Sequence, residues 1–276
     1  MKRLIAPGIL GVLAAFSGVE IACAQNEAPP PPAAEAPKSL QVEGAEPPPE
    51  AASRGGSALQ PDTDLIDVPT AGILDYGGWS SRTRFFSTGG IVEWLNFGVF
   101  HRVNIGASFN IDRFLGTDSP VQLTRPELQL KLRCYDGDRT LPAVTVGFDG
   151  QGYLYNRPDR RYNQRQHGLY VVGSHEVLLP GLEGHAGMNI SDFDSNSIFG
   201  FMASSFNLRD KVLLMAEWDN INTAEDSRIN MGFRVFVTPE FNIDFAGRGI
   251  GLGGRYSNGV PRGAERIVMF KYTGNF

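Results

Sequence analysis

The residues best suited to hydrolytic chemistry are the four histidines, because a histidine base can activate a serine hydroxyl. On one face of a β-strand, such a base and nucleophile stand two residues apart. The residues two positions after the histidines are Val103, Leu169, Val177 and Gly187. Ser174 and His175 are adjacent and therefore point to opposite faces of a strand. We therefore expect no catalytic residue and no enzymatic activity. The sequence does not exclude a serine and a histidine that meet from neighbouring strands.

Two further motifs match ligand-binding sequences only in their letters. GIGLGG, Gly249 to Gly254, fits Gly-x-Gly-x-x-Gly, but RYSNGVPRG follows it where a dinucleotide site needs a helix. DFDSN opens like a calcium loop yet lacks the later glycine and glutamate, which leaves at most a weak surface cation site. The sequence therefore predicts no cofactor and no metal site. A net charge of −5 does not indicate the basic surface that a nucleic-acid-binding protein needs.

A third group of residues is charged and alternates with apolar residues along several segments. Its members are Arg82, Arg84, Lys131, Arg133, Glu217, Asp219 and Asp244. Strict alternation indicates a strand between two unlike environments, and buried charges need partners or water. If the strands close into a barrel, these residues line its lumen. They then form either an ion-pair lattice that fills the lumen or a narrow polar channel with opposed positive and negative walls.

Twelve segments after residue 79 carry this period-two pattern, and no amphipathic helix of 12 or more residues is visible there. They are 79–86, 91–99, 103–111, 127–135, 143–150, 168–176, 185–191, 198–206, 212–219, 228–237, 241–246 and 266–276. Short connections such as FHR, NLRDK and TPE alternate with mostly long ones. A soluble sandwich also has alternating strands. The alternating loop lengths favour an all-β, antiparallel, up-and-down transmembrane β-barrel of about 12 strands.

The chain before the barrel divides into two parts. Lys2 and Arg3, the apolar run GILGVLAAFSGV and the small residues ACA predict a signal peptide over 1–24, cleaved after Ala24. Residues 25–61 hold nine of the 18 prolines and predict a disordered Pro/Ala/Glu-rich periplasmic linker. The linker either has no partner or reaches toward peptidoglycan or a periplasmic protein. The barrel then covers 62–276, and its location is the cell outer membrane.

Basic residues collect in two of the long connections. Arg157, Arg160, Arg161 and Arg165 lie in NRPDRRYNQRQH, and Arg248, Arg255 and Arg262 lie in the last connection. On the cell surface, arginines can form bidentate contacts with lipopolysaccharide phosphates or with an acidic polysaccharide. A solvated loop is the alternative.

The final segment ends in VMFKYTGNF, whose outward parity includes Phe270, Tyr272 and Phe276. We expect this strand to pair with the first one, because an open sheet edge is not tolerated in lipid. The pattern also resembles the signal read by the barrel-assembly machinery. That resemblance implies that the three aromatic residues act in assembly.

Two stretches resemble one group of proteins. DLIDVPTAGILDYGG (Asp64 to Gly78) and NFGVFHRVNIGASF (Asn96 to Phe109) are similar to the YjbH-like outer-membrane barrels of Gram-negative bacteria. The shared features include Pro69, Thr70, Ala71 and Gly77. The resemblance implies a role in exopolysaccharide production or export, and passive passage of small solutes is the companion expectation. A structural barrel with a filled lumen and a tail that contacts the cell wall is the alternative, and a lipid-modifying enzyme is a remote one.

Overall fold

A computed structural model describes residues 59–86, 89–116, 121–192, 198–222, 227–256, 259 and 262–276. The predicted signal peptide and most of the predicted linker lie outside these residues, as does most of the DFDSN motif. The regular elements are fifteen β-strands. They are β1 (Gly78–Phe86), β2 (Gly90–Phe100), β3 (Val103–Asp112), β4 (Gln122–Leu123), β5 (Glu127–Tyr135), β6 (Ala143–Asp149), β7 (Tyr153–Asn156), β8 (Arg161–Gln164), β9 (Gly168–Glu176), β10 (Leu182–Ile190), β11 (Ile198–Leu208), β12 (Val212–Asp219), β13 (Arg228–Phe236), β14 (Phe241–Ile250) and β15 (Glu265–Asn275).

Twelve of these strands form a closed antiparallel barrel in which each strand pairs with its neighbours along the chain. Omitting β4, β7 and β8, the order runs from β1 to β15 without a crossover, and β15 pairs with β1. The closing pair is in register from Gly78 opposite Asn275 to Phe85 opposite Val268. Closure leaves no edge strand, which is the requirement for a sheet in lipid. The predicted twelve-stranded, all-β barrel is confirmed.

The barrel is apolar outside and polar inside. On β13, Ile229, Met231 and Phe233 are 43%, 54% and 43% exposed, whereas Asn230 and Arg234 on the opposite parity are fully buried. The same alternation recurs along the other strands, because successive side chains of a strand point to opposite faces. A closed barrel with this polarity suits a lipid surround and a polar lumen. No helix in the described part is long and apolar enough to cross a membrane.

One strand is longer than the sequence pattern predicts. The predicted strand 241–246 continues as β14 to Ile250, through a β-bulge opposite Ile229–Met231. Gly249 supplies the positive φ of 59° at this bulge. The glycine run therefore begins inside a strand, and Arg248, predicted in an external loop, lies buried in the barrel wall instead.

The space inside the barrel is filled by two elements. Twelve strands enclose more room than their own side chains fill. Residues 62–76, which precede β1 and are here called the lumenal segment, fold back into the space that the strands enclose. The sequence interpretation assigned these residues to the barrel itself. The β7–β8 hairpin belongs to the connection between β6 and β9. It folds inward from the opposite end of the barrel.

The lumenal segment is a tight hairpin. Thr70 N–H donates to Thr63 O (3.1 Å) and Leu65 N–H donates to Val68 O (3.1 Å), so the tip is the turn Leu65–Val68. Behind the tip, a β-carbon at Gly72 would overlap the carbonyl of Asp62, so only glycine lets the two arms pack backbone to backbone. The Pro-Thr-Ala motif that carries the family resemblance therefore shapes this hairpin.

Candidate functional site

The tip of the lumenal segment is held by one carboxylate. Ile66, Asp67 and Val68 each donate a backbone N–H to Glu217 of β12, at 2.7, 3.0 and 3.0 Å. Asn230 of β13 donates to the other oxygen of Glu217 at 2.8 Å. Buried backbone donors need such an acceptor, and one side chain here serves three of them. Glu217 thus fixes the tip against the wall.

Three aspartates of the lumenal segment each join two basic residues of the barrel wall. The pairs are Asp62 with Arg234 and Lys271, Asp64 with Arg82 and Lys131, and Asp67 with Arg84 and Arg248. Asp67 makes two close contacts, at 2.8 Å to Arg84 Nη1 and 2.6 Å to Arg248 Nε. Acidic residues of the segment therefore bridge strands that do not touch one another.

These contacts balance the charge of the lumen. Among the buried side chains of the described barrel strands, seven are basic and four are acidic, an excess of three positive charges. The basic ones are Arg82, Arg84, Lys131, Arg228, Arg234, Arg248 and Lys271, and the acidic ones are Glu217, Asp219, Asp244 and Glu265. The three aspartates of the lumenal segment offset that excess.

Basic residues of the wall also donate hydrogen bonds to the backbone of the segment. Arg84 donates to Ile66 O, and Lys131 donates to Thr63 O and, at 3.3 Å, to Gly72 O. Near the base, Arg133 Nη1 donates to Ala71 O at 2.5 Å. Buried carbonyls need such donors. The wall therefore supplies the hydrogen bonds that a neighbouring strand would otherwise give the segment.

Two carboxyls of the lumenal segment, those of Asp64 and Asp67, lie outside the barrel strands and have lowered pKa values. Burial alone would raise the pKa of Asp67, but Arg248 and Arg84 outweigh it and lower that pKa well below its usual value. Burial likewise opposes ionisation of Asp64, and Lys131 and Arg82 reverse it, so its pKa is also well below the ordinary range.

The inward β7–β8 hairpin meets the lumenal segment from the other end. Tyr153 is buried, accepts a hydrogen bond from Arg84, and its ring lies 4.1 Å from the Arg248 guanidinium. Leu65 and Ile66 of the segment belong to the same apolar cluster as Tyr153. The predicted surface arginines Arg157, Arg160 and Arg161 lie exposed at the hairpin turn. Arg165 is partly buried, 5.6 Å from the Phe199 ring.

All seven charged residues predicted to line the lumen point inward. Asp219 pairs with Arg228 at 2.5 Å, and Asp244 with Arg234 at 2.7 Å, so acidic residues sit beside basic ones. The walls are not segregated into a positive and a negative side. The sequence interpretation omitted Arg228, Arg234, Arg248 and Lys271 from its lumenal set. Alternation could have found Arg234 and Lys271, which stand between outward apolar residues.

A serine–histidine contact exists across neighbouring strands. Ser174 Oγ lies 2.8 Å from His185 Nδ1, and His185 Nε2 lies 3.2 Å from Ser205 Oγ. The Ser174 hydroxyl also accepts the Ala71 N–H of the lumenal segment at 2.8 Å. Through Ser174, this row of polar side chains contacts the lumenal segment. Among the described residues, no group of three or more His, Cys, Asp or Glu side chains could hold a metal ion.

The three C-terminal aromatics lie along the closing seam. Phe270 stacks on Phe241 with ring centroids 6.3 Å apart, and Tyr272 lies 5.4 Å from Trp79. Phe276 follows the end of β15, and its N–H donates to Gly77 O at 3.0 Å. Its ring stacks on Phe97 at 6.3 Å. The last residue therefore ties β15 to both β2 and the base of the lumenal segment.

Comparisons with known proteins identify no family. No protein-family model matches the chain, and no curated protein matches it. Similar solved structures include the NanC porin, and the outer-membrane protein Omp33 and outer-membrane channel DcaP of Acinetobacter baumannii. NanC has a TM-score of 0.42 and 10% sequence identity, and the match covers 72% of this chain and 99% of NanC. For Omp33 the TM-score is 0.31 and the identity 11%, over 74% of this chain and 99% of Omp33. For DcaP the TM-score is 0.28 and the identity 8%, over 72% of this chain and 96% of DcaP. With TM-scores this low, the likenesses carry no argument, and the fold rests on the strand pairing described above.

Proposed function

We propose that this protein is a gated outer-membrane barrel that passes small solutes, with the lumenal segment as its gate. The observation that carries the proposal is a barrel wall closed by its own backbone pairing around a segment held mainly by side-chain contacts. Closed barrels and helices are the structures that satisfy backbone groups in lipid. The apolar outer face supports the outer membrane as the location.

A hinge supports movement of the segment as a unit. Gly77 has a φ of 78°, which other residues adopt only at a cost, and it joins the segment to β1. Its N–H donates to Gly98 O (2.9 Å), so the hinge stays anchored to β2. In the proposed open state, the segment leaves the lumen by rotation of the backbone beside Gly77, and the strand pairs of the barrel are kept.

A permanently filled structural barrel is the second candidate. Leu65 and Ile66 are fully buried in a cluster with Trp94, Leu213 and Met215. Burying such a side chain contributes about 1.5–3 kcal/mol, which opposes release of the segment. The two candidates differ in the current through planar bilayers that contain the reconstituted mature chain. A gate predicts intermittent current steps, and a permanent filling predicts none at any voltage.

The wider role expected from the sequence resemblance is surface exopolysaccharide production or export. The exposed Arg157, Arg160 and Arg161 support a contact with lipopolysaccharide or with an acidic polymer. We expect deletion of the protein to alter the amount of surface polymer, and expect an Arg157→Ala/Arg160→Ala chain to restore it only partly. Unchanged polymer in the deletion strain would reject the role. A contact between the linker and peptidoglycan stays a prediction.

Phe276 tests the proposed contact with the barrel-assembly machinery. Deleting this residue removes its hydrogen bond to Gly77 and its stacking on Phe97, and leaves the closing seam without its last link. We expect the shortened chain to accumulate in the periplasm, with much less protein inserted in the membrane. Heat-modifiable gel migration measures the inserted form. Phe114→Ala, an exposed aromatic outside the seam, is the control. Normal insertion of the shortened chain would reject the signal.

A further inference from the structure

We infer that the open lumen binds small carboxylate-bearing solutes of the sugar-acid class, at the place held by Asp62, Asp64 and Asp67 in the closed state. This inference rests on the proposed gate and names the solute that the gate competes with. The three aspartates are the ligands that the wall binds when closed, and they stand in for the carboxylates of a solute.

The first support is the charge that the gate leaves behind. Six of the seven buried basic residues of the wall contact an aspartate of the lumenal segment, and the seventh, Arg228, pairs with Asp219. When the segment leaves, the buried wall residues keep an excess of three positive charges without the three aspartates that offset it. A passage whose lining carries a net charge of one sign concentrates ions of the opposite sign. The opened lumen therefore favours anions.

The second support is donor capacity that the lumenal segment does not use. Arg82 Nε, Arg84 Nε and Arg248 Nη2 are buried and have no hydrogen-bond acceptor within the part of the chain that the structure describes. Guanidinium groups present donors in a planar fork that matches a carboxylate in two-point contact. The wall can therefore bind more acceptor oxygens than the three aspartates offer, as a hydroxyl-rich acid would provide.

The third support is the set of aromatic rings beside these arginines. Trp94 lies 4.1 Å from the Arg82 guanidinium and 5.1 Å from that of Arg84, and Tyr153 lies 4.1 Å from that of Arg248. Cation–π contacts hold the guanidinium planes in place. Rings next to fixed donors offer an apolar surface for the C–H face of a sugar and anion contacts for its acid group. This combination favours a sugar acid over a small inorganic anion.

The experiment measures ion selectivity and solute preference of the full mature chain. In planar bilayers under a KCl gradient, we expect the reversal potential of the current steps to show chloride preference. In liposome swelling, we expect glucuronate to enter faster than glucose. Arg84→Gln/Arg248→Gln should lower the chloride preference about threefold or more, because two charges leave the lumen.

Two matched variants separate charge from folding. Arg84→Lys/Arg248→Lys keeps both charges and should retain chloride preference. Arg102→Gln/Arg125→Gln removes two exposed charges, with side chains 54% and 69% exposed, and should leave selectivity unchanged. Heat-modifiable migration confirms that each variant is folded. Current steps with cation preference, or faster entry of glucose, would overturn the sugar-acid inference and leave the channel standing. Absence of steps would overturn the channel and the inference together.

Discussion

Replacing Arg234 by methionine is expected to lower the free energy of unfolding by about 3–5 kcal/mol, the range for breaking a buried ion pair by removing one partner. Arg234 is fully buried, and its Nε and Nη2 donate to the two oxygens of Asp244 at 2.7 and 2.8 Å. Its Nη1 donates to Asp62 of the lumenal segment. The substitution leaves Asp244, which is 1% exposed, without this guanidinium. The substitution therefore destabilises both the barrel wall at Asp244 and the lumenal segment at Asp62.

Urea unfolding of the reconstituted barrel, followed by tryptophan fluorescence, measures this effect. A second substitution, Arg234→Met/Asp244→Leu, should recover most of the loss, because an apolar pair can replace a buried ion pair at little cost. Arg102→Met breaks the exposed pair with Asp136 and should change stability by about 0–1 kcal/mol. Equal effects of Arg234→Met and Arg102→Met would show that Arg234 is not a buried anchor.

The strands of this barrel could be predicted from the sequence because their signal is local. Alternation along INMGFRV, for example, follows from the two faces of β13 alone. The end of β14 was predicted too early, because its glycines read as a loop, whereas the bulge at Gly249 continues the strand. That misplacement moved Arg248 from the wall to a surface loop.

The content of the lumen could not be predicted, because its contacts are distant along the chain. Ile66 and its acceptor Glu217 are 151 residues apart, and no local pattern pairs them. The sequence left two possibilities open, an ion-pair lattice that fills the lumen and a narrow polar channel with opposed walls. The described lumen contains ion pairs, and a segment that precedes the first strand completes them. Its Pro-Thr-Ala motif was recognised as a resemblance, but the motif alone does not say that the hairpin folds inward.

Locking the lumenal segment to the wall is expected to abolish current steps, which is the second large effect. Ala71 N–H donates to Ser174 Oγ at 2.8 Å, so cysteines at these two positions are close enough for a disulfide to be attempted. The variant is Ala71→Cys/Ser174→Cys in a Cys134→Ser background, since Cys134 is exposed and free. Each single-cysteine variant is a control for the loss of the Ser174 contact. A disulfide across this contact holds the arm behind the tip and prevents rotation at Gly77.

The most direct test of the gate is the current of this double-cysteine protein, measured in one bilayer before and after reduction. The account predicts no steps in the oxidised protein and intermittent steps after reduction, while the single-cysteine variants conduct in both conditions. Equal conduction in the oxidised and reduced protein, with the disulfide verified by mass, would contradict the claim that residues 62–76 are the gate.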